Sequence, residues 1–289
     1  MERKPLVSIL TPSYDQAAWL PDNLRSVASQ SYPSIEHIVM DGGSTDDTVD
    51  ILRAAGDSVH WRSEPDDGQS DAINRAFRES RGEIIGWINS DDAYFDCRVI
   101  ADVVATFAAH PEADVVYGHC AQVTGNGELV QMLWAPPFDR RLLRTVDIIS
   151  QPSAFVRRSA LSDPMLDGTF HFAMDYELWL RLDAASRGFH RIDRITAIDR
   201  LHAGRKSSTI QDVMHADLRR LSEMYGTAVP PEGDRLRSAF YVRQRLMGAL
   251  LLPRVRPHDI AFTAPDHMKR GAWRRQIGSR RSGWPAELK

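Results

Sequence analysis

Short apolar segments alternate with helical patterns over the first 118 residues, and this alternation constrains the fold more than any other feature of the sequence. The apolar runs predict strands, and the amphipathic stretches between them predict helices. The predicted strands are 6–10, 35–40, 60–61, 83–88 and 114–118, and the predicted helices are 20–30, 48–55, 69–80 and 98–109. Such alternation implies right-handed βαβ crossovers, and hence an α/β fold with a mostly parallel sheet flanked by helices.

Three polar loops follow the predicted strands, at residues 11–14, 41–48 and 89–92. In a parallel sheet, ligands bind outside the carboxyl ends of the strands, so these loops are expected to converge on one site. Asp91 and Asp92 are adjacent carboxylates that would repel each other unless a cation lies nearby, and hard oxygen ligands suit Mg²⁺ or Mn²⁺. The alternative is an Asp-rich turn after a strand.

Two familiar phosphate-binding motifs are missing from the sequence. Gly42-Gly43 does not extend to G-x-G-x-x-G, and no G-x-x-x-x-G-K-[ST] occurs. Without a lysine-bearing phosphate loop, a metal ion held by carboxylates is a plausible means of neutralising a diphosphate.

Composition is typical of a soluble globular protein, with 43% hydrophobic and 26% charged residues in a chain of 289. No run approaches the ~18 consecutive apolar residues of a membrane span. No signal-peptide pattern follows Met1. Two cysteines are too few for a disulfide framework or a thiolate metal site. The predicted location is the cytoplasm.

Charge is unevenly distributed along the chain. Residues 232–289 carry 13 Lys/Arg and 5 Asp/Glu, a balance of +8, which leaves −11 for the rest. This asymmetry indicates a basic tail on an acidic body, or only solvated helix faces. Because no zinc-finger spacing or RNA-binding aromatic motif accompanies it, nucleic acid is not a predicted partner; anionic lipid headgroups are favoured.

A series of motifs in this sequence resembles those of glycosyltransferase family 2, in particular its bacterial cell-surface polysaccharide members. They are residues 7–14, 41–46, 63–74, 89–92, 150–155 and 174–182, and the likeness covers roughly residues 6–210. The resemblance implies a GT-A fold: a Rossmann-like nucleotide half at about 1–118, fused on one continuous sheet to an acceptor half at about 119–210. A basic helical extension would follow over 211–289.

The resemblance also implies inverting transfer of a sugar from a nucleotide diphosphate sugar to a hydroxyl of a saccharide or lipid-linked acceptor, dependent on Mn²⁺ or Mg²⁺. UDP is the default nucleotide, with GDP and dTDP open. The nucleotide-binding residues carried over are Thr11, Pro12, Tyr14, Asp41, Gln69, Asp71, Ser90 and Asp91. Asp41 would accept a hydrogen bond from the base and Asp91 would bind the ribose. Alternatively, Asp41 caps a turn and Tyr14 is a packed core aromatic.

Asp92 and His202 are the metal ligands that the resemblance implies, and Asp175 is the general base that takes the acceptor's proton. Asp175 precedes a predicted amphipathic helix, 176–185, so it could also serve as a simple N-cap. A lone histidine is more often structural than a ligand. Arg205 and Lys206 are expected to reach the diphosphate or to close a loop over it.

This chain departs from the family pattern at two positions. Asn89 stands where the metal motif often has Asp, and Met174 stands where an acidic residue often precedes the base. A lone carboxylate is therefore the expected base. On the acceptor side only Trp134 and Gln151 are weak candidates, since tryptophan stacks on sugars but more often packs in a core.

Beyond residue 211 the sequence predicts two helices, 213–224 and 236–252, the second of them basic and amphipathic. Such a helix can lie on the inner face of a membrane, form a homodimer contact or pack on the body. Two rival functions remain as alternatives to a glycosyltransferase. A nucleotidyltransferase would need a Gly-rich, basic loop after the first strand, and residues 11–14 are neither. An inactive sugar-nucleotide scaffold or sensor would be favoured if Asp92 or Asp175 were lost, but both aspartates are present.

Overall fold

The computed structural model describes residues 4–203, 211–227 and 235–251. Its strands are β1 Val7–Ser13, β2 Ile35–Asp41, β3 His60–Ser63, β4 Ile84–Trp87, β5 Ala93–Tyr94, β6 Val115–Thr124, β7 Leu129–Leu133, β8 Ala154–Arg157 and β9 Phe189–Leu201. Its α-helices are α1 Leu20–Ala28, α2 Thr48–Ala55, α3 Gln69–Glu79, α4 Val99–Ala109, α5 Arg140–Leu143, α6 Met174–Ala184, α7 Gln211–Tyr225 and α8 Arg235–Leu251.

One nine-stranded sheet runs through the described chain in the order β3-β2-β1-β4-β8-β6-β9-β5, and β7 pairs with β6. The ladders β3–β2, β2–β1 and β1–β4 are parallel, as predicted for the first half of the chain. The second half is mixed: β6 and β9 are parallel, whereas β4–β8, β6–β8, β6–β7 and β5–β9 are antiparallel. The α/β prediction is confirmed, but "mostly parallel" holds only for the first half.

Strand β1 continues three residues beyond its predicted end, through the segment that was expected to break it. Pro12 is tolerated there because of the direction in which its nitrogen points. Leu10 O accepts a hydrogen bond from Ile88 N on the β4 side, and Pro12, two residues later, faces the same side. The ladder with β4 has ended at Leu10, so no partner there requires a backbone N–H.

The sheet separates two main apolar cores, because successive β1 side chains point to opposite faces. Leu10 packs in the core that contains residues of α3 and α6. Ile9 packs in the core that contains residues of α4. Helix α6 is buried on most sides rather than amphipathic, with eight of its 11 residues buried.

The described part of the C-terminal extension lies against the body. Leu221 of α7 and Phe240 of α8 are buried in the same core as α6. A Cβ on Gly248 would lie 2.6 Å from Met132 O, so α8 approaches β7 at backbone distance. The outer side of α8 nevertheless leaves large apolar side chains exposed: Leu236, Tyr241, Val242, Leu246 and Leu250. Within the ranges described, no helix has the length and apolar character needed to cross a membrane.

Candidate active site

The loops that follow β1 and β2 are hydrogen-bonded to each other. Asp15 N donates to Ser44 Oγ at 2.7 Å, and Thr45 N donates to Asp15 Oδ1 at 2.8 Å. Ala17 N donates to Asp46 Oδ2 at 3.0 Å. Asp15 holds a left-handed φ of 51°, a conformation that Asp tolerates better than most residues. The two predicted polar loops therefore form a single wall at the carboxyl ends of the parallel strands.

Asp41 ends β2 and is 2% exposed. Its Oδ2 accepts hydrogen bonds from Gly43 N, Ser44 N and Ser63 Oγ, at 3.1, 2.9 and 2.6 Å. The turn-capping role that sequence analysis left open for Asp41 is thus observed, and a base contact would be additional to it.

Tyr14 lies at the rim of this wall and is 60% exposed, so it is not the packed core aromatic that was the alternative interpretation. Thr11 and Pro12, in contrast, are buried within β1. The Thr11 hydroxyl lies 3.0 Å from His37 Nε2, and burial lowers the pKa of His37 to about 3. Only the backbone of Thr11 and Pro12 could therefore face a nucleotide without a rearrangement of the sheet.

Asn89 links three elements at the end of β4. Its Oδ1 accepts hydrogen bonds from Gln69 Nε2 at 2.8 Å and Trp87 Nε1 at 2.9 Å. Its Nδ2 donates to Gln151 Oε1 at 3.1 Å. Gln151 in turn donates to Trp87 O, which joins this predicted acceptor residue to the end of β4; Gln151 is 8% exposed. The amide at position 89 both donates and accepts, which a carboxylate could not do.

His202 contacts Asp91, which the resemblance assigned to the ribose, and metal ligation by Asp92 and His202 stays a prediction. His202 Nε2 lies 2.9 Å from Asp91 Oδ2. Asp92 Oδ1 instead accepts Arg200 N at 3.0 Å, and Asp92 is 4% exposed. Ser90, beside the pair, is also buried. Asp91 lies in a hydrogen-bonded turn, which Asp92 N closes by donating to Asn89 O at 3.0 Å.

The Asp91–His202 pair fits a divalent cation. Carboxylate oxygen and imidazole nitrogen are donors that Mn²⁺ accepts, and two neighbouring ligands at octahedral distances of about 2.1 Å lie about 3 Å apart. The observed separation is 2.9 Å, which is also the length of the direct hydrogen bond between the two side chains. Nδ1 of His202 is buried and has no hydrogen-bond partner among the described residues. The ring stacks on Trp19 with centroids 3.8 Å apart, which fixes its orientation.

Asp175 lies in the first turn of α6 and not before it. The helix begins at Met174, and its N-cap residue is Ala173, so the N-cap alternative for Asp175 is wrong. Asp175 is half-buried, and its Oδ1 accepts a hydrogen bond from Tyr176 N at 2.9 Å. Met174 Sδ lies 3.3 Å from the Ser70 hydroxyl, which places the start of α6 beside the start of α3.

Asp147 is a second carboxyl group near Asp175 that sequence analysis missed. Burial, and then the charge of Asp175, raises the pKa of Asp147 well above its usual 3.8. Its Oδ1 also accepts a hydrogen bond from Ile149 N at 3.0 Å. Asp175 is therefore not the lone carboxylate that was expected, although the acidic residue beside it comes from a distant part of the chain.

A further residue that sequence analysis missed, Asp217 of α7, supports the turn before α6. Its Oδ2 accepts hydrogen bonds from the backbone N–H groups of His171, Phe172 and Ala173, at 3.0, 2.7 and 3.1 Å. Asp217 is 6% exposed. No pattern in the sequence around residue 217 predicts this contact, because the turn that Asp217 contacts is more than 40 residues away in the chain.

A cavity of about 270 Å³ lies between the start of α3 and the turn before α6. Its lining residues are Asp67, Gln69, Ser70, Asp71, Asn74, Gly168 and His171. Two of the predicted nucleotide-binding residues, Gln69 and Asp71, thus face an open space. Asp71 also forms an ion pair with Arg75 at 2.6 Å, so its charge is partly compensated.

Trp134 does not lie where sequence analysis placed it. The side chain is 4% exposed, within the apolar core on the α4 side of the sheet. The guanidinium carbon of Arg243 lies 5.0 Å from the centroid of its ring, so α8 covers the face that a sugar would need. Core packing is the observed role of this residue. Arg205 and Lys206 lie outside the described residues.

Comparisons with known proteins bear on the family of this chain and on its fold. The model of the family "Glycosyl transferase family 2" matches residues 8–163. A PGL/p-HBAD biosynthesis glycosyltransferase of Mycobacterium tuberculosis is 31% identical over 158 residues, which are 53% of this chain and 60% of that relative. An uncharacterized glycosyltransferase of the same species is 28% identical over 252 residues, 85% of this chain and 93% of the relative. The chain thus spans less than two thirds of the first relative's length.

Solved structures share the fold. Residues 1–349 of S. aureus TarS, in complex with UDP-GlcNAc, align with a TM-score of 0.58 and 20% identity, over 75% of this chain and 66% of that one. The mannosyltransferase PcManGT from Pyrobaculum calidifontis, in complex with GDP-Man and Mn²⁺, aligns with a TM-score of 0.60 and 16% identity. The alignment covers 88% of this chain and 75% of that one. These likenesses confirm the predicted GT-A fold. Because the family model matches more than half of its residues, the chain belongs to glycosyl transferase family 2.

Proposed function

We propose that the chain is an inverting, metal-dependent glycosyltransferase that moves a sugar from a nucleotide diphosphate sugar to a hydroxyl of a saccharide or lipid-linked acceptor. The observation that carries the proposal is the Asp91–His202 pair, 2.9 Å apart, beside the loop wall at the carboxyl ends of the parallel strands. The complexes of TarS with UDP-GlcNAc and of PcManGT with GDP-Man and Mn²⁺ support the donor class. UDP is the proposed nucleotide.

Asp91 and His202 are the residues that would hold Mn²⁺ or Mg²⁺ in this proposal. A divalent cation bound there neutralises the charge that develops on the leaving diphosphate. Asp92 stays a predicted metal ligand; its Oδ1 accepts a hydrogen bond from Arg200 N, and in this proposal that contact holds the loop in the shape that directs Asp91 towards His202. Arg200 reinforces that shape by donating from Nε to Asp91 O at 3.0 Å.

The donor nucleotide would lie along the loop wall and the end of β4. On one side, its proposed contacts are the backbone groups of Thr11 and Pro12, the exposed ring of Tyr14 and the capped carboxylate of Asp41. Gln69 and Asp71 at the start of α3, with Ser90 beside the metal pair, are the proposed contacts on the other.

Asp175 is the proposed general base. As the acceptor oxygen bonds to the anomeric carbon, the bond to the diphosphate breaks on the opposite face and the hydroxyl proton passes to the Asp175 carboxylate. Its place in the first turn of α6 stabilises the ionised form, because that end of a helix carries partial positive charge. The raised pKa of Asp147 favours its protonated form, which reduces the negative charge beside Asp175.

Isothermal titration of the full chain with UDP, GDP and dTDP, with and without Mn²⁺, tests the donor site. We expect one nucleotide to bind with Mn²⁺, and Asp91→Ala to weaken that binding at least tenfold. Asp50→Ala, which changes an exposed aspartate on α2, is the control and is expected to bind as the wild type does. If no nucleotide binds, or if Mn²⁺ makes no difference, the metal-dependent assignment is wrong and a scaffold role is favoured.

We also propose that α8 contacts an anionic membrane surface, which would bring the enzyme to a lipid-linked acceptor. Val242, Leu246 and Leu250 are exposed at intervals of four residues, so they share one face of the helix. Arg235 lies on the same face and Arg245 flanks it; both are exposed, and both carry the charge that attracts anionic headgroups.

Co-sedimentation with vesicles of phosphatidylcholine, with and without phosphatidylserine, tests this contact. We expect binding only to the anionic vesicles, and Leu246→Asp to abolish it. Glu223→Lys, at an exposed position of α7, is the control for a charge change elsewhere in the extension. The membrane proposal fails if the wild type does not bind vesicles. If light scattering then shows a dimer that Leu246→Asp dissociates, the face is a contact between two copies of the chain.

A further inference from the structure

Two histidines and a glutamate cluster at the edge of the sheet opposite the candidate active site. They are His110, directly after α4, Glu112 in the following turn, and His190 in β9. One ligand atom from each lies within 4.8 Å of the others. His110 Nδ1 is 3.2 Å from Glu112 Oε1, and the two imidazole rings stack with centroids 3.6 Å apart and planes inclined by 24°.

Backbone hydrogen bonds hold these side chains on fixed supports. Asp114 N and Val115 N both donate to Gly188 O, at 2.8 and 2.9 Å, and Gly188 N donates to Asp114 Oδ2 at 3.0 Å. A Cβ on Gly188 would lie 2.1 Å from Glu112 O, so the two segments are in backbone contact. The glycine therefore allows the strand that carries His190 to start beside the turn that carries Glu112.

The cluster is remote from the proposed sugar-transfer site. Strand β9 has 13 residues, with His190 near its start and His202 directly after its end. At about 3.3 Å per residue, the two histidines are roughly 40 Å apart along the strand. None of the three residues belongs to the proposed donor or base machinery.

We propose that His110, Glu112 and His190 form a binding site for a zinc-class divalent cation. Two imidazole nitrogens and one carboxylate oxygen suit Zn²⁺, Co²⁺ or Ni²⁺, whereas Mg²⁺ and Ca²⁺ favour oxygen-only ligands. Three protein ligands leave a fourth position for water or for an external ligand.

Metal binding would replace the ring stack. A cation lies in the plane of each imidazole that binds it, so the two parallel rings must turn towards each other on coordination. The exposed positions of the side chains leave room for that rotation, because Glu112 is 69% and His110 39% exposed. The bound ion would join the end of α4 to the start of β9.

Zinc binding to the full chain, stripped with EDTA, tests the proposal. The titration uses Zn²⁺ alone against a chromophoric chelator, in an Asp91→Asn/His202→Ala background so that the proposed donor site does not contribute. We expect one Zn²⁺ per chain, and at least a roughly tenfold loss of affinity in His190→Ala, since even outer-shell changes at metal sites cost that much. Glu112→Gln, at an exposed position that does not support the fold, is expected to weaken binding similarly.

His60→Ala is the matched control. His60 Nε2 lies 2.5 Å from Glu79 Oε2, so it is another surface His–Glu pair, but neither residue belongs to the three-residue cluster. We expect this variant to retain the parent affinity, and Co²⁺ to show a tetrahedral visible spectrum that disappears in His190→Ala. The proposal is overturned if the chain binds no Zn²⁺ in this background, or if His190→Ala and Glu112→Gln bind as tightly as His60→Ala.

Discussion

Removal of the Asp217 carboxylate should destabilise the protein and also slow catalysis. Asp217→Ala leaves the backbone N–H groups of His171, Phe172 and Ala173 without their acceptor. An orphaned buried donor costs about 1–3 kcal/mol, and water that enters the vacated space recovers part of this, so we expect a loss of about 3 kcal/mol in the free energy of unfolding. That loss corresponds to a decrease in Tm of roughly 6–12 °C.

Asp217→Ala should also displace Asp175, because Ala173 is the N-cap residue of the helix that carries Asp175. A displaced base lowers kcat, and a misplacement of about 1 Å can cost about 100-fold, so we expect kcat to fall at least roughly tenfold while the KM for the donor is unchanged. Asp217→Asn keeps an acceptor oxygen but loses the charge, and should cost about half as much stability.

Urea unfolding and initial-rate kinetics are the assays, and Asp212→Ala is the matched control. Asp212 is an exposed aspartate on the same helix, and its removal should change the free energy of unfolding by no more than about 0.5 kcal/mol. If Asp217→Ala unfolds within that margin of Asp212→Ala, the three hydrogen bonds do not stabilise the turn and the reasoning is refuted. A stability loss with unchanged kcat would show that the turn does not position Asp175.

Three other changes test the remaining features. Asp175→Asn should lower kcat by about 10²–10⁴ while calorimetry shows unchanged donor binding; near-wild-type turnover would exclude it as the base. Because the folded-state pKa of Asp147 is raised, its contribution to stability is present below pH 3.8 and is lost as the pH rises through the raised value. Asp147→Asn should therefore gain stability relative to the wild type as the pH rises above 3.8, and a constant difference in urea unfolding would contradict this. The pKa of His37 is depressed to about 3, so its contribution is present above pH 6.5 and is lost as the pH falls below that value. About 2 kcal/mol should disappear between pH 7 and pH 5, and His37→Gln, which keeps a partner for Thr11, should flatten that slope.

Sequence periodicity predicted the elements of the first half because local pattern determines them. Helix α2 has its predicted bounds, and α3 and α4 differ from prediction by one residue at one end. Strand β9 was missed for a physical reason: its first six residues are half-buried or exposed, and its last seven are buried on both faces. No single period describes such a strand, and its pairing with β6 depends on residues about 75 positions away.

Sequence patterns predict the candidate site as a set of residues but not as a set of contacts. Motif order points to Asp91, Asp92, Asp175 and His202, yet adjacency in sequence could not decide which aspartate contacts the histidine. Asp147 and Asp217 carry no local pattern at all, because each acts on a segment that only the tertiary fold brings close. Long-range geometry was therefore the information that the sequence patterns lacked.

The hydrogen bonds between the loops after β1 and β2 have a consequence for protein engineering. A loop transplanted alone from a relative with a different donor would leave Asp15 Oδ1 or Thr45 N without its counterpart. The protein that receives the transplanted loop would then lose the shape of the wall formed by the two loops, and with it any gain in donor specificity. Chimeras should exchange residues 14–17 and 42–48 together, as one cassette, and the two segments are expected to co-vary among natural relatives for the same reason.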